Sequence, residues 1–321
     1  KLFLTAAGFY GDAKRKKKPS VFLNEILDRD INDDFSKFEL ESVTDITTSL
    51  NYLGKSDYES IIPKDTNIDL TKKFSYSQLN VYDSCPRKYE YAYVLRIPQK
   101  PSSALSFGIS VHNTLRDFYS LVKNSKEGLE GIVTLPTERD LLELYEKNWV
   151  SSGYEGKKHE QGRKEEGRVI MQNYFRKLYR EKDVPLRLEE SFSVHIGNTV
   201  FNGKIDRIDL VEMKGDIPEV CIVDYKTGKE KDEGDIKKDL QLPLYSLFAE
   251  SKLGLKVVAA KYVFVETGNV VDVDVSQSRR ELAQKRLLAV LDCVREKKFA
   301  PTPGFLCRYC DYNTVCEYAD L

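Results

Sequence analysis

The chain has 321 residues, 41% of them hydrophobic, so it can build one large domain or two of ordinary size. Its 50 Lys and Arg residues nearly balance 51 Asp and Glu residues, which excludes a general basic footprint for nucleic acid and leaves only local patches. No apolar run approaches the roughly 18 to 20 residues of a membrane span, and no signal segment opens the chain. We therefore expect a cytoplasmic protein without a membrane partner.

The first thirty residues begin in an unusual way for a natural chain. The chain opens with Lys1 rather than Met, and residues 2–6 are an apolar stretch that predicts a buried strand. We therefore expect this sequence to be part of a longer protein. A basic run at 14–18 and a short apolar element behind Pro19 follow. No Gly-x-x-x-x-Gly-Lys-Ser/Thr loop for phosphate occurs, so this chain alone should not hydrolyse ATP.

The next segment is polar. Residues 28–69 are rich in Asp, Asn, Ser and Thr and show little hydrophobic periodicity, which is typical of a linker or a crossing segment. We therefore predict three parts, with residues 1–30 as the leading segment, 31–73 as a linker and 74–321 as the main domain.

The main domain begins with helical patterns. Ser77 can cap a helix that runs to Cys85, and Pro86 interrupts it before residues 87–94 resume. Further helical patterns cover residues 104–123, 137–150 and 158–181.

From about Leu186 the hydrophobic period changes to two, which predicts successive strands. The first predicted strands are Leu188 with 191–195, then 200–211 and 220–225. A helix at 236–252, strands at 256–265 and 269–275, and a helix at 277–297 follow. This order predicts an α/β or α+β domain around a mixed sheet.

Carboxylates and a lysine fall on neighbouring predicted strands. Asp206 and Asp209 lie in Gly-Lys-Ile-Asp-Arg-Ile-Asp on one strand, and Asp224 and Lys226 lie in Asp-Tyr-Lys-Thr-Gly at the end of the next. Period two puts Asp224 and Lys226 on one face, whereas Asp206 and Asp209, three residues apart, face opposite ways. Converging carboxylates suit a divalent cation, and a lysine can stabilise charge during phosphodiester cleavage. For Asp-Tyr-Lys-Thr-Gly alone, a turn with an exposed ion pair is an open alternative.

Two further motifs are weaker when each is taken alone. Gly108-Ile-Ser-Val-His112 lies in a helical pattern, and the missing side chain of Gly108 leaves space for a neighbour or ligand one turn before His112. Gln241-Leu-Pro-Leu-Tyr245 places Gln241 and Tyr245 on one helical face. Ordinary packing would explain either motif.

Taken in chain order, the four motifs resemble the series of the RecB-type branch of the PD-(D/E)XK nuclease superfamily. The resemblance covers about Phe74 to Leu321. It implies a restriction-endonuclease-like mixed central sheet flanked by helices, and a metal-dependent DNA nuclease that acts in DNA repair or recombination.

The resemblance also implies roles for particular residues. The ligands of a magnesium or manganese ion would be His112, Asp206, Asp224 and the backbone carbonyl of Tyr225. The catalytic residues would be Lys226, Asp206, Asp224 and Gln241, and the DNA strand would be oriented by Gln241 and Tyr245.

Other carboxylates compete for a place in this site. Asp209 competes with Asp206, which the family resemblance favours. Glu189 or Glu190 on the preceding strand could supply an outer carboxylate. Because exposed glutamates are the commoner case, we leave both glutamates out of the predicted site.

The six cysteines are too few for a disulfide scaffold, and their clustering indicates metal. Cys307-x2-Cys310-x5-Cys316 lacks a fourth thiolate, for which Cys85 is the natural candidate. Four thiolates suit a 4Fe-4S cluster or tetrahedral zinc equally well. By contrast, Cys221 and Cys293 lie inside an apolar strand and a helix, and we expect them to be small hydrophobic residues.

The surroundings of Cys85, Asp-Ser-Cys-Pro-Arg-Lys-Tyr-Glu-Tyr, resemble the first-cysteine segment of iron–sulfur nucleases, found in AddB-type subunits and in CRISPR-adaptation nucleases. This resemblance implies a 4Fe-4S cluster on Cys85, Cys307, Cys310 and Cys316, which ties the two ends of the domain together.

The leading segment resembles the closing strand and tail of a UvrD-type superfamily 1 helicase core. The resemblance implies a helicase core as partner in the same protein or complex, with single-stranded DNA as the preferred substrate. Two alternatives remain open: a catalytically inactive, cluster-stabilised DNA-binding module, and a zinc-bound interaction protein.

Overall fold

The computed structural model describes residues 71–127, 135–228 and 233–319. The chain divides into two units, Lys1–Ile68 and Asp69–Leu321, and every described residue belongs to the second. The helicase-like segment predicted at 1–30 lies outside the described residues, as does nearly all of the predicted linker.

Helices and strands follow the predicted order, except for a short strand at Lys73–Ser75 that was not predicted. The helices are α1 (Tyr76–Ser84), α2 (Pro86–Tyr89), α3 (Ser103–Glu127), α4 (Glu138–Lys147), α5 (Lys157–Lys177), α6 (Glu233–Lys238), α7 (Gln241–Leu253) and α8 (Gln277–Arg295). The strands are β1 (Lys73–Ser75), β2 (Pro185–Ile196), β3 (Thr199–Lys214), β4 (Ile217–Lys226), β5 (Lys256–Phe264) and β6 (Asn269–Asp272). A π-helical turn at Glu90–Val94 follows α2, and a 3-10 turn lies at Phe305–Tyr309.

The cap of α1 corrects one prediction. The side chain of Ser75, not that of Ser77, caps the helix, because it accepts a hydrogen bond from the backbone N–H of Gln78 at 3.3 Å. Ser75 is the last residue of β1 and has the extended backbone that a capping residue needs, whereas Ser77 is already helical.

The single helix predicted at 236–252 is also wrong, because α6 and α7 are separate. Asp239 lies at the break, and its carboxylate accepts a hydrogen bond from the backbone N–H of Gln241 at 2.9 Å. An Asp side chain that bonds to nearby backbone competes with the helix, so the chain turns before α7 begins. The same carboxylate accepts hydrogen bonds from the hydroxyls of Tyr76 and Tyr262, which hold the break inside the protein.

The described strands form one mixed sheet flanked by helices, as predicted. β2 pairs with β3 in antiparallel fashion along residues 199–209 of β3. The other edge of β3 carries β1, parallel, at its start and β4, antiparallel, at its end. β5 lies parallel to β4, and β6 lies antiparallel to β5.

This arrangement leaves a gap along one edge of β3. Pairing with β1 ends at Asn202, and pairing with β4 begins at Arg207, opposite Val223. Within the described strands, residues 203–206 of β3 therefore have no partner strand on that edge. The end of β4 lies next to this gap.

Two hydrophobic clusters cover the sheet. One contains buried residues of α1, α7 and α8 with Ile222 of the sheet, and the other contains residues of α3, α4 and α5 with Val223 and Tyr225. Because neighbouring strand residues point to opposite faces, the two clusters pack on opposite sides of β4. Along β4, Asp224 lies between Val223 and Tyr225, whose side chains face α3. None of the described helices combines the length and apolar character of a membrane span.

Candidate functional site

The gap between β3 and β4 is closed by a side chain. The backbone N–H of Tyr225 donates a hydrogen bond to Oδ2 of Asp206 at 2.9 Å, where the regular ladder has already ended. Asp206 is only 8% exposed. Its carboxylate therefore stands in for the missing strand partner, and its second oxygen is left for another group.

His112 reaches this second oxygen from α3. Its Nδ1 lies 3.3 Å from Oδ1 of Asp206. Burial opposes a charge on the ring, but the hydrogen bond to Asp206 and the charge of that carboxylate outweigh it and raise the pKa of His112.

Gly108 explains how α3 comes so close to β4. A Cβ atom at this position would lie 3.0 Å from Oγ1 of Thr227, just after the end of β4. The space expected one turn before His112 is thus filled by a neighbour, and the Thr227 hydroxyl would have to shift to admit a larger residue.

Glu189 is the residue that the sequence analysis left out. His112, Glu189 and Asp206 each offer one ligand atom, and these atoms lie within 4.8 Å of one another. Glu189 also pairs with Lys204 and has a φ of 50°, in the left-handed region that non-glycine residues rarely adopt. An alternating pattern of polar and apolar residues does not predict this backbone conformation.

The sequence nevertheless contained a feature that places Glu189 next to Asp206. The turn at Gly197-Asn198 joins β2 to β3 as a two-residue hairpin. Counting back from Ile196 opposite Thr199 places Glu189 opposite Asp206, which agrees with the pairs on either side.

The second half of the site joins β4 to α7. Nζ of Lys226 lies 2.7 Å from Oδ2 of Asp224, as expected for residues on one strand face. Gln241 bridges this pair, because its Oε1 accepts from Lys226 at 2.7 Å and its Nε2 donates to Oδ1 of Asp224 at 2.8 Å. The ring of Tyr262 lies 4.7 Å from the Lys226 ammonium, on which it can exert a cation–π attraction.

Charge is concentrated at this point. Burial raises the pKa of Asp224 to about 6, against the lowering effect of Lys226 and with further raising by the charge of Asp206. Burial disfavours the charge of Lys226, but the ion pair with Asp224 outweighs it and raises the pKa of that ammonium. A buried carboxylate with a raised pKa gains from a nearby cation, so this half of the site favours a bound metal ion.

The remaining predicted residues lie nearby or face elsewhere. Tyr245, one turn after Gln241, is 7% exposed, and burial with the charges of Asp224 and Asp206 raises its pKa. Asp209 accepts a hydrogen bond from Arg207 at 2.9 Å and lies outside the group of His112, Glu189 and Asp206. Tyr225 lies between Asp224 and Lys226 at the end of β4.

The donor set of this gap consists of one imidazole nitrogen and several carboxylate oxygens. Oxygen ligands suit magnesium and manganese, and imidazole is accepted by transition metals such as manganese. The residues therefore fit a divalent cation.

The four predicted cysteine ligands lie around one cavity, and among the described residues no three of their sulfurs lie within 4.8 Å of one another. One cavity of about 230 Å³ is lined by Cys85, Cys307, Cys310 and Cys316. Two backbone N–H groups point at its sulfurs, from Thr302 to Cys85 at 3.5 Å and from Gly304 to Cys307 at 3.4 Å. Cys221 and Cys293 do not line this cavity and pack against the two hydrophobic clusters.

Several contacts hold the cysteine-rich segment against the helices. Lys88 pairs with Asp311 at 2.9 Å, and the ring of Tyr91 lies 5.4 Å from that of Tyr312. Gln99 donates a hydrogen bond to the Tyr312 hydroxyl at 3.0 Å. These contacts connect the segment after α8 to α2 and to the residues that follow it.

Comparison with known proteins gives one family match. The family model described as the PD-(D/E)XK nuclease superfamily matches residues 73–317. The chain is similar to the Gene 69 protein of Mycobacterium phage D29, with 23% identity over 274 residues, which cover 75% of this chain and 95% of the phage protein.

Two solved structures are also similar. A candidate exonuclease from Eubacterium rectale has 15% identity and a TM-score of 0.43, with 79% of this chain and 94% of that chain covered. SSO0001 has 12% identity and a TM-score of 0.32, with 85% of this chain and 98% of that chain covered.

Proposed function

The chain belongs to the PD-(D/E)XK nuclease superfamily, and we propose that it hydrolyses phosphodiester bonds of DNA with a divalent cation held in the gap between β3 and β4. The observation that carries this proposal is the convergence of His112, Glu189 and Asp206, whose ligand atoms lie within 4.8 Å of one another. Asp224, which pairs with Lys226, lies outside this group of three but near it, because the charges of Asp206 and His112 both act on the pKa of Asp224.

Some of these residues would bind the metal ion, and Lys226 would stabilise the negative charge that develops on the phosphate. His112, Glu189, Asp206 and Asp224 would hold magnesium or manganese, with the Tyr225 carbonyl as a further ligand. When bound, such an ion polarises a phosphoryl oxygen and lowers the pKa of water. The Lys226 ammonium donates to the attacking water or to a phosphate oxygen on which negative charge develops.

The contacts of Gln241 support a second role beside the predicted orientation of DNA. It contacts both Lys226 and Asp224 by hydrogen bonds, so it fixes the distance between ammonium and carboxylate. A donor held in place before the reaction costs no reorganisation when charge develops. Gln241 is therefore proposed to position the catalytic lysine, with Tyr245 packed behind it.

One face of α3 supports single-stranded DNA as the substrate. Leu105, Ile109, His112 and Arg116 follow one another at helical spacing and form a stripe. Leu105 is 63% exposed and Ile109 is 43% exposed. Exposed apolar side chains beside a metal site can contact an unstacked base, which a paired duplex does not offer. Delivery of the strand by a linked helicase remains part of the proposal.

The cysteine cavity is proposed to hold a 4Fe-4S cluster that stabilises the domain. All four thiols line one cavity. Four thiolates suit either a 4Fe-4S cluster or zinc. The resemblance of the Cys85 segment to iron–sulfur nucleases favours the cluster.

Cleavage of DNA by Lys226→Ala beside the parent protein tests the proposed function. We expect the parent to cut single-stranded DNA with Mg²⁺ or Mn²⁺ and the variant to be about 100-fold slower or worse, because a donor to developing charge is lost. Lys256→Ala is the matched control, since Lys256 forms a 2.7 Å ion pair with Glu219 far along β4 from Lys226. A Lys226→Ala protein with the parent rate would overturn the proposal.

A further inference from the structure

A buried arginine lies directly beside the proposed metal ligand Asp206. Arg207 is 2% exposed, although a buried cation is costly unless it is paired and hydrogen-bonded. Its guanidinium donates to Oδ2 of Asp209 at 2.9 Å and to the hydroxyl of Tyr225 at 2.9 Å. It also lies 4.1 Å from the ring centre of Tyr119.

Three tyrosines enclose this cation. Tyr119 comes from α3, Tyr174 from α5 and Tyr225 from β4. The Tyr174 hydroxyl lies 3.0 Å from that of Tyr119 and donates to that of Tyr225 at 3.4 Å. The polar network therefore connects two helices with the end of the strand that carries Asp224 and Lys226.

The place of this network in the sheet gives it a consequence for the site. The pair of Arg207 and Val223 is the last of the ladder between β3 and β4. Beyond it, Tyr225 is connected to β3 twice, by its N–H to the carboxylate of Asp206 and by its hydroxyl to the guanidinium of Arg207. These two bonds replace the missing ladder where the metal ligands lie.

We propose that Arg207 is a positioning residue, which holds the end of β4 through the Tyr225 hydroxyl and thereby sets the orientation of Asp206 and Asp224. Its buried side chain bonds to Tyr225 and Asp209, so it would act through these neighbours and not by touching the substrate or the metal. This inference rests on the proposed function in one respect, because it takes those two carboxylates as metal ligands. An apolar pair could fill the same space with less desolvation, so stability alone does not account for a buried cation here.

The variants Tyr225→Phe and Arg207→Lys test the inference. Tyr225→Phe keeps the ring and removes the acceptor, and Arg207→Lys keeps the charge and removes the planar fork. Binding of Mn²⁺ is measured by electron paramagnetic resonance, without DNA and without turnover. We expect each variant to bind Mn²⁺ about 10-fold more weakly, as is typical when a residue behind a metal ligand is lost.

Tyr145→Phe is the matched control. Tyr145 is a fully buried tyrosine in the same hydrophobic cluster, and its hydroxyl donates to the Lys164 carbonyl at 3.2 Å. This variant should lose thermal stability to a similar extent as Tyr225→Phe while keeping the Mn²⁺ affinity of the parent. Equal weakening of Mn²⁺ binding in both would show general loosening and overturn the inference.

The outcomes separate this inference from the proposed function. If Tyr225→Phe and Arg207→Lys bind Mn²⁺ as tightly as the parent, and the parent cuts DNA, the positioning role alone is overturned. A parent protein that binds Mn²⁺ and loses affinity in both variants, yet cuts no DNA under any condition, would overturn the proposed function and support the positioning role.

Discussion

The side-chain oxygen of Gln241 lies 2.7 Å from the ammonium nitrogen of Lys226. Gln241 is the first residue of α7, whereas Lys226 is the last residue of β4, so this bond joins the start of a helix to the end of a strand. The same amide also contacts Asp224. The loss of this one side chain should therefore affect both charged groups at once.

Gln241→Ala should lower the rate of DNA cleavage about 10- to 100-fold at saturating metal, because Lys226 loses a partner that fixes its position. DNA binding should remain near that of the parent. Gln277→Ala is the control, since Gln277 also begins a helix and donates to a carboxylate, that of Glu281, at 2.8 Å. Full cleavage activity in Gln241→Ala would contradict a positioning role for this amide.

Glu189→Gln should weaken Mn²⁺ binding and cleavage to a similar extent as Asp206→Asn, by about 10-fold or more, because a charged oxygen ligand becomes neutral. Isothermal titration with Mn²⁺ measures the binding. Glu190→Gln is the control, since Glu190 is the next residue and forms a 2.9 Å pair with Arg187 instead. If Glu189→Gln binds Mn²⁺ as tightly as Glu190→Gln and the parent do, Glu189 is not a ligand.

In the metal-free protein, the contribution of Asp224 to stability should fall as the pH rises from about 4 to about 6. Burial raises the pKa of Asp224 from 3.8 to about 6, so in this window the folded state holds a proton that the unfolded state has released. The contribution of Asp224 to stability is complete below the lower value and lost above the higher one. Asp224→Asn should lack this component.

Thermal unfolding of the parent and Asp224→Asn with a chelator, across this pH range, measures the effect. The difference in melting temperature between the two proteins should change between pH 4 and pH 6 in favour of the variant. Parallel curves would show that Asp224 does not titrate in this window.

Leu105→Ala with Ile109→Ala should raise the KM for single-stranded DNA about 10-fold while kcat changes little, because apolar contact with a base is lost. A substrate without the base at that position should remove the difference between parent and variant. Leu282→Ala is the control, as an exposed leucine on α8. An unchanged KM would show that this face of α3 does not bind the substrate.

Cys85→Ser should lose the brown colour of an iron–sulfur cluster, melt at a lower temperature, and lose DNA binding and cleavage together. A connection between Cys85 and Cys307 closes a loop of more than two hundred residues, for which a single crosslink stabilises a fold by about 4 to 5 kcal/mol. Cys293→Ser, outside the cysteine cavity, should keep the colour. A brown Cys85→Ser protein of unchanged stability would show that Cys85 is not a ligand.

Much of the fold follows from periodicity. The change from period 3.6 to period two at Leu186 locates β2 to β4, and strand alternation explains why Asp224 and Lys226 lie 2.7 Å apart. The local spacing of Gly108 and His112 likewise predicts a close neighbour at the glycine, which is Thr227.

The sequence is less informative where tertiary contacts decide. The left-handed backbone of Glu189 breaks the alternation that would have described its side chain. The break between α6 and α7 depends on hydrogen bonds from Tyr76 and Tyr262 to Asp239, and Tyr76 is more than a hundred residues away in the chain. Such contacts leave no periodic signal, so pattern analysis extends one helix through the break.

The gap beside β3 also bears on how the site assembles during folding. Glu189, Asp206 and Asp224 lie on consecutive antiparallel strands joined by short turns, so local contacts bring these carboxylates near one another. His112 arrives only when α3 docks on the sheet, across a much longer separation in sequence. Because local contacts form faster than distant ones, the three acidic side chains should meet before the imidazole does. A metal ion present during refolding would then encounter a carboxylate pocket first and gain its nitrogen ligand last.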